Sequence, residues 1–413
     1  MPLTADQLRA SLDNPVALEA LYQQDQGAFR AAFSEAAGAA PRSPVIDVWR
    51  ARLDYRAPAR AWAGPPFYAA LALAIGVALL VRLPALAVDR DFYYPHFAPS
   101  LVVFSVAAYF LAKRRDQRTL VIGAALALVI AVYTGVLPSG EAPSIVMALI
   151  HLPILVWAFL GLAFTGRDWR DPEARIRFVR YNGDLLILGV LVGLSGLVFS
   201  GLTVGLFSLV TKDADKLYFQ NVGVMGAVAV PVAATYLYDV VFNGRTGIAP
   251  VLARAFAPLF LVMSTAYLAV ALIGGQNPFL DRQFLITVNG LLLIVLGMTV
   301  FTIAERGDVA RPGFGDYVTV ALLAVTVLID AVALSAIVFR LSEYGFTPNR
   351  VVVLGANVVI LGHLVRMCWT SLGFVRGTRD AKAVRAAVAT YLPIYVAWAA
   401  LVAFVLPLAF HFS

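Results

Sequence analysis

Apolar stretches of membrane-crossing length recur eleven times along the chain, at residues 66–86, 97–112, 119–137, 143–164, 184–210, 221–242, 255–273, 284–303, 317–339, 351–371 and 390–410. A helix needs roughly 20 such residues to cross the hydrocarbon of a bilayer. Backbone groups there find no water, so a spanning segment must satisfy them internally, as a helix or within a closed barrel. The runs show no apolar/polar alternation, which excludes the barrel. The expected fold is therefore all-α, a polytopic helical membrane protein with about 11 transmembrane helices. A composition of 61% apolar and 14% charged residues, with mean hydropathy +0.81, agrees.

Basic residues orient the spans. Arg50, Arg52, Arg56 and Arg60, Lys113, Arg114, Arg115 and Arg118, and the arginines at 167, 170, 175, 177 and 180 fall on alternate connections. Arg245, Arg254, Arg306, Arg311, Arg376, Arg379, Lys382 and Arg385 continue the series on that side. Arg90, Lys212, Lys216, Arg282, Arg340 and Arg350 are left for the other. The positive-inside rule then predicts an N-in/C-out protein. The formal charge of +7 is accounted for by arginine facing the inner leaflet and calls for no nucleic acid. MPLTADQLRASLDNP has neither a basic n-region nor an apolar h-region, so the first span is expected to direct insertion.

Residues 1–62 differ in composition and are expected to form a small cytoplasmic amphipathic helical segment, with residues 63–413 as the bundle. Leu18, Leu21, Tyr22, Phe29 and Phe33 recur at helical spacing behind an Asn14 N-cap and Pro15, and SPVIDVWRARLDY reads as a second helix. So short a unit is expected to pack on the ends of the bundle rather than build a large core; the alternative is a protein partner bound at these helices.

Much chemistry is excluded. Cys368 is the single cysteine, and His96, His151, His363 and His411 lie on separate segments without ligand spacing, so no metal and no cofactor is expected. No phosphate-binding glycine loop, dinucleotide fingerprint or nucleophile elbow occurs. Asp213 and Asp215 in TKDADKLYF read as a solvated charge run rather than paired catalytic carboxylates.

ALYQQDQGAFRAAFSEAA followed by VIDVWRARLDY, then GGQNPF with DRQFLITVNG, and RLSEYGFTPNR near the end together resemble an uncharacterised bacterial integral-membrane family, domain of unknown function four-one-five-three. The resemblance covers most of the chain, and the YGxTPxR loop is its most specific part. It implies a multi-pass protein of the inner membrane of Gram-negative bacteria and carries no activity over to any residue.

That same loop places three charges between two apolar runs. Pro348 forces Thr347 into an extended backbone, Gly345 permits a reversal, and Thr347 or Asn349 can cap the helix that follows. Two readings stay open. Glu343 pairs with Arg340 or Arg350 to close a tight helical hairpin, or the two arginines form an outer-face mouth for a small anionic solute or a lipid headgroup, whose oxygens suit arginine's fork.

Asp330 lies about 14 Å inside its span, too deep to reach water by extension. Candidate partners are His151, Asn289, Asn357, His363 and Arg366, of which His363 and Arg366 share a helical face. Asp330 is then either a satisfied interhelical partner or a proton or substrate site. Gly189/Gly193 and Gly201/Gly205 have small-xxx-small spacing, which predicts close helix packing in the fifth span. Pro231 and Pro258 predict kinks in the sixth and seventh.

Three function classes follow: a transporter or permease for a small solute or lipid, a non-catalytic scaffold or envelope-assembly partner, and, with least support because the outer loops are short, an integral-membrane enzyme.

Overall fold

The computed structural model describes residues 4–11, 14–39, 44–54, 64–138, 142–209, 211, 213–244, 246–273, 282–308 and 311–412, and only the backbone of residues 39, 54, 249, 271–273 and 282–284. Arg56, Arg60, Lys212, Arg245 and the GGQNPF segment lie outside the described residues, as does the side chain of Arg282. Every regular element among the described residues is helical.

Residues 1–64 form one compact unit of four helices, α1 (Ala5–Ala10), α2 (Pro15–Gln24), α3 (Gln26–Ala39) and α4 (Pro44–Asp54). Asn14 caps α2 through Oδ1, 3.1 Å from the amides of Val16 and Ala17. Asp25 breaks the expected single helix by capping α3 in the same way, 2.9 Å from the amides of Gly27 and Ala28. The unit has a small core of its own: Leu8, Leu18, Phe29, Phe33, Ile46 and Trp49 are buried together. Aromatic density explains this, since Tyr22, Phe29, Phe33 and Trp49 pack ring to ring and each large ring buries more area than an aliphatic side chain.

Residues 65–413 form the second unit, with, among the described residues, eleven helices long and apolar enough to cross a membrane. The chain is thus a multi-pass membrane protein. The spans are α5 (Pro65–Arg82), α6 (Arg90–Arg114), α7 (Gln117–Val136), α8 (Pro143–Thr165), α9 (Pro172–Ser208), α10 (Ala214–Val241), α11 (Ile248–Ile273), α12 (Arg282–Ala304), α13 (Phe314–Tyr344), α14 (Pro348–Val375) and α15 (Ala381–Ala409). Several start well before the apolar run that marks them. α9 begins twelve residues earlier than hydropathy places it, because Asp171 caps it and its polar first half is buried against protein rather than lipid.

That first half of α9 divides two cores. Phe178, Tyr181 and Leu188 pack with Val106, Phe110, Phe159 and Tyr236 from α6, α8 and α10. Ile176 and Val179, on its other side, pack with Ile303, Leu323, Leu364 and Met367 from α12 to α14. Beyond Leu188 no residue of α9 is buried. The glycine expectation therefore fails: a Cβ at Gly193, Gly196, Gly201 or Gly205 would meet nothing within 4 Å. The close approaches occur instead at Gly123 against Phe159, Gly355 against Trp398 and Gly362 against Tyr391.

Among the described residues two spans contain π-helical turns, α10 at Phe219–Gly223 and Leu237–Val241 and α15 at Leu401–Val405. Each turn carries a cross-helix bond. Asn221 Oδ1 accepts from Arg82 Nη2 at 2.6 Å, Asp239 accepts from Lys113 Nζ at 2.7 Å and Tyr109 at 3.0 Å, and the Ala403 carbonyl accepts from Tyr133 at 2.6 Å. A wide turn rotates a side chain or frees a carbonyl that an α-helix would keep to itself.

Candidate functional site

α13 and α14 are joined by the tight turn the sequence suggests. Gly345 has φ +77°, a region open to glycine, and Thr347 is the N-cap of α14 with Pro348 in its first turn. Arg350 folds back over this turn, Nη1 donating to the carbonyls of Tyr344 at 2.6 Å and Gly345 at 2.8 Å. Its guanidinium thereby satisfies the end of α13, where carbonyls lack helical partners. Glu343 points to solvent and joins neither arginine in an ion pair, so the hairpin does not rest on the salt bridge expected of it.

Below the turn lies a cavity of about 490 Å³ lined by Arg340, Arg350, Asn289, Asn349 and Thr347 over an apolar floor of Met147, Leu285, Ile337 and Val353. Among the described residues two guanidiniums and no carboxylate line it. Arg340 Nη1 and Asn289 Oδ1 are buried with no hydrogen-bond partner, which leaves a donor and an acceptor free for a ligand.

Deeper in the same half, polar groups continue between α13, α14 and α15. Asn357 gives Nδ2 to the Val353 carbonyl at 2.8 Å, while its Oδ1 has no partner. Asp330, ten residues or about 15 Å below Arg340 along α13, is 0% exposed, and neither carboxyl oxygen has a partner. His363 holds Tyr395 Oη at 2.9 Å through Nδ1 and stacks on Tyr391 with centroids 4.4 Å apart, leaving Nε2 buried and free. Tyr395, unremarked in the sequence, is within electrostatic reach of Asp330.

Several expected partners of Asp330 go elsewhere. Arg366 turns outward and donates to Thr390 Oγ1 at 2.5 Å. His151 is satisfied within its own helix by the Met147 carbonyl, 2.8 Å from Nδ1. Asn289 belongs to the arginine cavity. Asp330 lines neither that cavity nor the one at the opposite end of the bundle.

The opposite end is closed by charge. Arg385, 4% exposed, donates to Glu173 at 2.9 Å, to Asp308 at 2.6 Å and to the Arg306 carbonyl at 3.1 Å. Arg306 pairs with Asp316 and lies 3.7 Å over the Phe374 ring. Arg180 donates to the Ala304 carbonyl at 2.6 Å. These bonds tie the first turn of α9 and the α12–α13 connection to α15. The Arg385 guanidinium beside Asp308 holds that carboxyl below its ordinary value. Sequence spacing could not reveal this set, whose members are separated by up to 212 positions. Arg82 was legible as a charge at the end of an apolar run; it is 6% exposed, has Nη1 unpartnered and was missed.

Among the described residues no group of three or more His, Cys, Asp or Glu could hold a metal ion. No family model, no curated protein and no solved structure matches the chain.

Proposed function

We propose that the chain is a permease of the bacterial inner membrane for a small anionic solute, oriented N-in/C-out, with the arginine cavity as its periplasmic mouth. One observation supports this reading: a cavity at a helix-turn end lined, among the described residues, by two guanidiniums and no acid, one of them with a buried N–H unspent. Arginine favours planar oxyanions that accept two parallel hydrogen bonds. The unpartnered groups of Asn357, Asp330 and His363 continue from that mouth toward the bundle centre, and intramembrane ionisable groups commonly mark transport routes. A second reading, a non-catalytic scaffold, draws on the apolar packing around Asp330, which the cavity does not reach.

Thermal melting of the purified protein against inorganic phosphate and acetate separates the two. Saturable stabilisation by at least one anion is expected, lost in Arg340→Gln and weakened in Arg350→Lys, whose ammonium cannot bridge two oxygens. Identical titrations in all three proteins would remove the anion site.

A further inference from the structure

A second cavity system lies away from the arginine mouth, where α11 crosses α12. Its polar part, about 200 Å³, is lined by Arg254, Thr302, Glu305, Arg306, Asp316 and Ser371. Its apolar part, about 390 Å³, lies between α9, α11 and α12 and is walled by Leu186, Phe256, Phe260, Leu293, Gly297 and Phe301. Ala253 lines both, and the chain steps from one to the other at Leu252–Arg254 and again at Phe301–Thr302. The two are therefore neighbours across Ala253, and polarity switches across one residue of each helix.

The charges of the polar part are unequally engaged. Asp316 is held by Arg306, and Glu305 lies 3.9 Å from Arg180. Arg254 has no ion pair among the described residues and stands as a surplus cation. Two buried groups aimed at the cavity lack partners: Arg306 Nε, and Oγ of Ser371, which is 6% exposed. Beside the carboxylates of Asp316 and Glu305, each already held by an arginine, a guanidinium, a second guanidinium N–H and a hydroxyl remain as unspent donors, which suits a phosphate. Leu186, Phe256 and Leu293 of the apolar part are exposed on the outside of the bundle, and a Cβ at Gly297 would meet nothing within 4 Å, so the helix leaves chain-sized room along its side.

We infer that these cavities form a binding site for a phospholipid, its phosphate held by Arg254, Arg306 and Ser371 and an acyl chain laid along the α9–α11–α12 groove past Gly297. Free inorganic phosphate would use only half of this surface, and an uncharged diacylglycerol only the other half. The site is independent of the anion mouth at Arg340 and Arg350.

The experiment compares three probes on the full-length protein in detergent: a short-chain phosphatidic acid, the corresponding diacylglycerol and inorganic phosphate. Each is titrated by thermal melting, with bound lipid counted by native mass spectrometry. Only phosphatidic acid is expected to stabilise through this site. Arg254→Gln should weaken it about tenfold, and Gly297→Leu, which fills the groove without touching the charges, should weaken it comparably; both unliganded melting points are measured first. Arg340→Gln should leave the lipid titration unchanged while abolishing anion stabilisation at the other cavity. Equal stabilisation by diacylglycerol, or lipid affinity within twofold of wild type in both variants, overturns the site. So does loss of the lipid effect in Arg340→Gln, which would assign it to the mouth.

Discussion

Asp330 is the residue whose sequence setting and structural setting differ most. Its depth was legible from the apolar run around it, because hydropathy reports distance from the membrane surface. Its neighbours were not, because His363 and Arg366 share a face of α14 and sequence cannot say which way that face turns. The structure turns Arg366 to Thr390 and His363 to Tyr395, so no cation among the described residues is set against the carboxyl. The consequence is a specific expectation for Asp330→Asn. Breaking a buried ion pair strands a charge and costs about 3–5 kcal/mol, but here nothing is stranded, and the amide has the shape of the acid. A change in stability below about 1 kcal/mol is expected, with anion flux into proteoliposomes lost. A large destabilisation would mean that a cation does meet Asp330, and unaltered flux would remove it from the proposed transport route.

At the scale of helices, the existence of all eleven spans could be read from apolar length, and their ends could not. Hydropathy stops where charge begins, yet α9 continues through Arg175 and Arg180 because those side chains reach the Ala389 and Ala304 carbonyls and the Glu305 carboxylate. The π-helical turns were equally invisible, since a single widened turn leaves no compositional trace. The glycines were visible and misleading. Small-xxx-small spacing permits close approach without requiring it, and in α9 the permission is unused. Gly201→Ala is accordingly expected to leave the melting temperature unchanged or slightly raised, because alanine is the better helix former by about 1 kcal/mol. Gly355→Ala should lower it markedly, since the added methyl would enter the Trp398 ring and overpacking costs roughly 1–3 kcal/mol. Circular-dichroism melts of the two variants test the pair together; equal effects would contradict the packing described for α14 and α15.

For the molecule as a whole, alternation of the spans puts the α6–α7 connection and the α13–α14 turn on opposite faces, and the proposed N-in orientation has the first inside. With Cys368 replaced by serine, a cysteine at Ser342 is expected to react with a membrane-impermeant maleimide in intact cells, and one at Gln117 only after lysis. The reverse pattern would invert the mouth and the sidedness of the proposed route. The division into two cores has a further consequence, for synthesis rather than for the finished protein. The first half of α9 leaves the ribosome with one set of neighbours, α6 and α8, already made, while Ile176, Val179 and Glu173 await partners more than a hundred residues downstream. Domains assemble in the order in which they are translated. During that interval one side of α9 is bare, with an unpaired glutamate at its base, and whatever accompanies nascent helices in the membrane has this surface to shield until α15 arrives with Arg385.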